Sequence, residues 1–230
     1  RRRRESCRAT WTTVRVRELK PLRSTVGPVG ASDPLWGAAP TTARAPDAES
    51  YNPPRSKDTN MPTALTDEFT DELDELDVGW TETTASNAGA VLAEQTDPPV
   101  VGAPSAHVSL DSTPVDVELD PSLEDLRAAR TGVTDATLGI APYGSVVLRT
   151  DREPTTEAAS LFVDRHVVLL GADDVRPDVT AALRDLAPAF RSERASAIVA
   201  TGPSATADMG ALVRGAHGPE TVHVVLLTDR

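Results

Sequence analysis

Cysteine is nearly absent. The 230 residues hold one, Cys7, which excludes an internal disulfide and leaves too few thiolates for a cysteine zinc site or a protein-held iron–sulfur cluster. Aromatic residues make up 3%, so a core must be built from Val, Leu, Ala and Ile. No apolar run comes near the ~18 residues that a membrane span needs. The longest, "HVVLLG" and "TVHVVLL", have the length of buried strands. Nucleotide-binding glycine patterns are also missing. There is no Gly-Lys-Ser/Thr phosphate loop and no Gly-x-Gly-x-x-Gly after a strand. "GPSAT" is not a Gly-x-Ser-x-Gly elbow.

Lysine stops at Lys57. Residues 1–60 carry 12 Lys/Arg against 6 Asp/Glu, whereas residues 61–230 carry 11 Arg, 29 Asp/Glu and no lysine. An acidic, lysine-free domain argues against general nucleic-acid binding, which depends on neutralising phosphates. It is similar to the composition of proteins from salt-loving microbes, in which concentrated salt screens the repulsion among carboxylates. The bland alternative is an ordinary acidic protein. The halophilic reading is favoured because Arg is kept while Lys is lost, and a cytoplasmic setting is expected.

Residues 1–60 lack the 7–15-residue apolar core of a secretory signal. "VGPVGASDPLWGAAPTTARAPDAESYNPPRSKD" is rich in Pro, Gly and Ala without periodicity. Residues 1–60 are therefore expected to be a disordered tail, or an upstream region included by start-codon choice. The α/β domain is expected over residues 61–230.

Within that domain, "LTDEFTDELDELD" places Leu65, Phe69, Leu73 and Leu76 at helical spacing. "VGWTETT" predicts a strand, "SNAGAVLAEQT" a helix, and "PPVVGAP" and "VDVEL" short strands. "DPSLEDLRAAR" predicts a helix with Asp120 as its cap and Pro121 in its first turn. "TLGIA" and "SVVLR" flank Pro142-Tyr143-Gly144 and predict a hairpin. "HVVLLG", "ASAIVAT" and "TVHVVLLT" predict buried strands, and "RPDVTAALRDLAPAF" a helix with Val179, Leu183, Leu186 and Phe190 on one face. Helices alternating with short apolar strands predict a layered α/β sheet, and the hairpin makes it mixed.

The segment "GPSATADMGALVRGAHGP" follows the strand "SAIVAT". Ligands of α/β sheets gather at the carboxyl ends of strands, so Ser204, Thr206 and Asp208 are candidates. The bland reading is that Ser204 caps a new helix and Asp208 neutralises its first turn. His217 lies between glycines, where backbone can approach a ligand closely; the alternative is a turn histidine. His223 lies inside a strand and is expected to be structural. His166 starts a strand and could serve either purpose. His107 has no companion in sequence. The histidines are widely spread, so no metal site is expected. A hydrolase triad of Ser204, His217 and Asp208 would need fortuitous geometry, because the three are so close in sequence.

Three blocks, "TGVTDATLGIAPYGSVVL", "HVVLL" and "TGPSATADMGALVRGAHGPETVHVVLL", resemble in order and spacing the LUD domain of the lactate-utilisation protein C family. The resemblance spans roughly residues 64–229 and is strongest from Gly132. It implies a three-layer α/β/α fold with a mixed sheet, similar to sugar-phosphate isomerases and coenzyme A transferases. It also implies a part in oxidising L-lactate to pyruvate with separate cysteine-rich iron–sulfur proteins. On that reading this chain holds no cofactor of its own and its partners hold the clusters; flavin is left open. Family members usually read Thr-Ala-Asp-Ile-Glu where Thr206-Ala207-Asp208-Met209-Gly210 stands here, so a glutamate is missing. Pro142-Tyr143 replaces the usual acidic or Thr-containing turn. The resemblance implies a small-anion pocket from Gly202, Ser204, Thr206, Asp208, His217 and Gly218, with Gly144 and Ser145 nearby. His217, and with it Asp208, are the candidates for proton transfer, since an imidazole titrates near neutrality.

Three functions are therefore weighed. The first is a subunit of a lactate-oxidising system. The second is an independent enzyme on a small anionic, phosphorylated or coenzyme A-linked substrate. The third is a non-catalytic assembly module.

Overall fold

The computed structural model describes residues 11–14, 61–150, 154–192, 195–203, 205–208, 211–215 and 218–230. All of them fall in one compact unit, Arg1–Arg17 with Asn60–Arg230. The chain runs β1 (Trp11–Val14), α1 (Met61–Glu75), β2 (Gly79–Thr83), α2 (Ala88–Gln95), β3 (Val100–Gly102) and β4 (Val117–Glu118). It continues with α3 (Leu123–Ala128), β5 (Thr131–Asp135), β6 (Leu138–Ile140), β7 (Ser145–Arg149), α4 (Pro154–Leu161), β8 (Arg165–Gly171) and β9 (Val175–Arg176). It closes with α5 (Val179–Ser192), β10 (Ala197–Thr201), β11 (Ala205–Asp208), β12 (Ala211–Arg214) and β13 (Thr221–Leu227).

The apolar runs become the middle of a parallel sheet of six strands, ordered β2-β13-β8-β5-β3-β4. β8 reads Arg-His-Val-Val-Leu-Leu-Gly because both of its faces are covered. Val167 and Leu169, with Val133, Val225 and Leu227 beside them, pack on Ala88, Val91 and Leu92 of α2. Val168 and Leu170, with Val222, Val224 and Leu226, face Phe69 and Leu73 of α1. Each fully buried Leu or Val here contributes about 1.5–3 kcal/mol relative to exposure. Helices on both faces of this sheet make the expected three-layer α/β/α arrangement.

A second, mixed sheet is ordered β1-β10-β7-β6-β9. β6 and β7 form the expected antiparallel hairpin, with Leu138 opposite Val147. Val146, Leu148, Ile198 and Ala200 join the α1 side of the core. The opposite face, with Leu138, Ile140, Val147 and Ala197, is covered by α5 through Ala182, Leu186 and Phe190. The helix is therefore turned from the expected face, and Val179 and Leu183 are 42% and 51% exposed. Trp11–Val14 pairs antiparallel with β10 at the sheet edge; the rest of residues 1–60 lies outside the described residues.

α4 crosses β5 so closely that a Cβ on Gly132 would overlap the carbonyl oxygen of Ala159. Only glycine allows this approach.

Two local expectations are corrected. The cap of α3 is Ser122, not Asp120. The Ser122 hydroxyl accepts the Asp125 N–H at 3.2 Å, and the Asp125 carboxylate accepts the Ser122 N–H at 2.9 Å. This reciprocal box satisfies two orphan groups at once and outcompetes a cap two residues earlier. The segment after β10 starts no helix over Ala205–Asp208. It is extended and pairs antiparallel with β12, Thr206 opposite Val213 and Ala207 opposite Leu212. Thr and Val are stiff at χ1 and favour extended pairing.

Candidate active site

In an open parallel sheet the strand ends leave backbone groups and loops facing a crevice at the carboxyl side. Here β3, β5 and β8 end side by side. The loop after β3 brings Ala103, Pro104 and His107; the end of β5 brings Asp135 and Thr137; the turn after β8 brings Asp174. With Arg149 from the end of β7 and Thr156 from α4 they enclose a cavity of about 420 Å³. That lies within the usual size range of small-molecule sites.

Asp135 is the chemical centre of this cleft. Its Oδ2 accepts the Ala106 N–H at 2.6 Å. Its Oδ1 is buried and meets no donor among the described residues. Burial raises the pKa of this carboxyl above the usual range. The Ser105 hydroxyl, the Ala106 and His107 N–H groups and the His107 imidazole pull the other way without cancelling the effect. A buried acceptor without a donor is destabilising unless a ligand or water completes it.

The loop that delivers His107 is held by its own serine. Ser105 Oγ accepts the N–H groups of His107 and Val108 at 3.1 and 3.0 Å. Asp174 sits 3.6 Å from the Arg176 guanidinium, which also bonds Asp185 at 2.6 Å and the Asp173 carbonyl at 2.7 Å. The charge of Asp174 is thus partly offset. Arg149 brings a guanidinium to the cleft and His107 an imidazole.

The profile of the LUD domain matches residues 103–227. This chain belongs to the LUD domain family. The family is associated with lactate utilisation in general. The LUD fold is seen again in the crystal structure of a DUF162 family protein from Deinococcus radiodurans. It matches at 18% identity with a TM-score of 0.56, covering 73% of this chain and 98% of that one. No curated protein matches this chain.

The LUD residues singled out in sequence fall elsewhere. Gly144, Ser145 and Gly202 come together where β7 and β10 meet α1. Gly144 and Gly202 adopt positive φ, 51° and 65°, which explains glycine at both. Ser145 Oγ bonds Thr201 Oγ1 at 2.7 Å and so ties β7 to β10. The space among Gly144, Gly202, Leu73 and Val222 is about 10 Å³, room for a single water at most. Thr206 and Asp208 lie on β11, and Gly218 is buried just before β13. Ser204 and His217 lie outside the described residues.

The carboxyl-end rule does not hold at β10, which runs antiparallel to both of its neighbours. The strand to which the rule applies is β5, in "TGVTD". Its terminal acid, Asp135, is the residue that sequence reasoning passed over. His107 had no companion in sequence and finds one in Asp135. Arg149 and Thr156 reach the cleft only through the mixed sheet and α4, and no local signal marks them.

The remaining histidines are built into the sheet. His166 is fully buried, and its Nε2 lies 2.8 Å from Thr134 Oγ1. Burial lowers its pKa to about 3, so it stays neutral. His223 Nε2 lies 3.0 Å from Thr81 Oγ1. Burial, and then the Arg165 charge, lower its pKa to about 4.

Proposed function

We propose that this LUD-domain chain is a subunit of a system that oxidises L-lactate to pyruvate together with separate cysteine-rich iron–sulfur proteins. Family membership over residues 103–227 carries the reading. The two electrons released when lactate becomes pyruvate need an acceptor, and one cysteine in 230 residues cannot hold a cluster. The reading therefore assigns clusters to the partners. A carboxyl-end cleft containing Arg149, His107 and Asp135 supports it, since a small hydroxy acid offers both a carboxylate and a hydroxyl that can donate a hydrogen bond.

Purification of the tagged chain from lactate-grown cells tests this. Cysteine-rich iron–sulfur proteins should co-purify, and L-lactate should reduce an artificial electron acceptor in the purified assembly. A chain recovered alone, with partners that oxidise lactate fully without it, would overturn the reading.

The cavity is larger than a three-carbon acid needs, which favours a second reading: an independent enzyme on a larger anion, such as a coenzyme A-linked acid. Titration with acyl-coenzyme A and sugar phosphates separates the two. Tight binding of either, with no effect of lactate, would favour the second.

A further inference from the structure

α4 starts at the Asp135 cleft, where Thr156 lines the wall, and ends at a second, apolar groove. Leu123, Leu126 and Arg127 of α3 and Phe162, the residue after α4, enclose about 340 Å³ there. Leu126 forms the floor, packed on Ala129, Ala159 and Val163. Phe162 and Leu123 stand 71% and 63% exposed, the most of any large apolar side chains among the described residues. The ring of Phe162 is not exposed by a loose backbone. Its N–H bonds the Ala158 carbonyl at 3.0 Å, and Leu161 and Val163 on either side pack inward. An aromatic ring held in water on a fixed backbone, beside an exposed Leu, marks an interaction surface.

The rim identifies the occupant. Asp125 is committed to the cap of α3, and Arg130 lies 3.9 Å from Asp164. Glu124 and Arg127, three residues apart on α3, have no ion-pair partner among the described residues. The groove thus presents an apolar surface, one free acid and one free base. A wholly acidic or wholly basic partner would satisfy one charge and oppose the other. A copy of the same surface, turned about a two-fold axis, satisfies both. The rest of the chain also favours this place. Residues 61–230 carry 29 Asp/Glu against 11 Arg, whereas residues 122–130 carry two of each. Two copies of so acidic a chain repel over most of their surface and meet without that repulsion at α3. We propose that the α3–α4 groove is the contact of a two-fold symmetric dimer of this chain. Phe162 and Leu123 of each copy pack into the groove of the other, and Glu124 pairs with Arg127 across the axis.

The inference is independent of the lactate reading. Sedimentation equilibrium of the full chain tests it, in about 0.15 M KCl, where charges more than about 8 Å apart are screened and contact pairs are not. The wild type should dimerise at micromolar concentration. Phe162→Asp should weaken the dimer at least about tenfold, the loss expected for a central aromatic anchor. Glu124→Arg alone and Arg127→Glu alone should each set like charges opposite one another and weaken it as well. The double variant, Glu124→Arg with Arg127→Glu, should return to within about threefold of the wild type, because the two sites are coupled. Phe162 is exposed, so its replacement leaves the core intact and decides the matter should the α3 variants fail to fold. A wild type still monomeric at about 100 μM would overturn the proposal. So would a Phe162→Asp chain that dimerises like the wild type, or a folded double variant as weak as the single ones. A monomeric wild type that binds an iron–sulfur protein through Phe162 would overturn it in favour of a different occupant.

Discussion

His166 makes the stability of this protein depend on pH in a calculable way. The imidazole is fully buried, and burial lowers its pKa from 6.5 to about 3. Above pH 6.5 it is neutral in both folded and unfolded chains and has no effect. Below pH 6.5 the unfolded chain takes up a proton that the folded chain refuses, so stability falls as pH falls. The loss is about 2 kcal/mol at pH 5 and about 3 kcal/mol at pH 4, and it levels off only near pH 3. Carboxylates and His223 add their own slopes, so the informative quantity is a difference. Urea midpoints of the wild type and His166→Gln, measured from pH 7.5 to pH 5, provide it. Glutamine keeps a polar group for the Thr134 hydroxyl but does not titrate. The gap between the two proteins should close by about 2 kcal/mol over that range, because only the wild type pays the proton penalty. Parallel curves would refute the argument and mean that His166 is protonated inside the fold.

Two further outcomes are expected. Gly132→Ala should cost about 3 kcal/mol, at the upper end of overpacking effects, because the clash is with backbone of α4 and no side chain can turn aside; an unchanged urea midpoint would show that α4 is free to lift from β5. Raising KCl from about 0.1 M to 1 M, which shortens the screening length from about 10 Å to about 3 Å, should raise the melting temperature. The acidic surface repels itself: the Glu72 carboxyl is raised by slight burial and then by Glu75, Glu68 and Asp71. A flat or falling melting temperature would oppose the halophilic reading.

What was legible in the sequence follows from the range of the forces involved. β8 and β13 were plain because strands covered on both faces must be continuously apolar. The β6–β7 hairpin was plain because Pro142 and Gly144 mark a turn between two apolar runs. The cap of α3 was displaced by two residues because Asp120 and Ser122 both suit an N-cap, and only the reciprocal bond to Asp125 decides between them. The β11–β12 pairing was hidden because serine, threonine and aspartate suit a helix start as well as a hairpin.

The cleft was less legible for a different reason. Its members come from β3, β5, β7, β8 and α4, and their meeting depends on strand order. Asp135 could have been suspected from its place at the end of "TGVTD", once β5 was known to lie inside the parallel sheet. "SAIVAT" looked equally like a parallel strand, because burial sets composition while direction does not. Ser145 shows the converse. It stands in a block that marks the family, yet its hydroxyl is spent on Thr201 at 2.7 Å.

The most direct test of the lactate reading is growth of a strain lacking this gene. The account predicts that the strain grows normally on pyruvate, fails on L-lactate as the only carbon source, and is restored by the wild-type gene. Normal growth on L-lactate without the gene would contradict it.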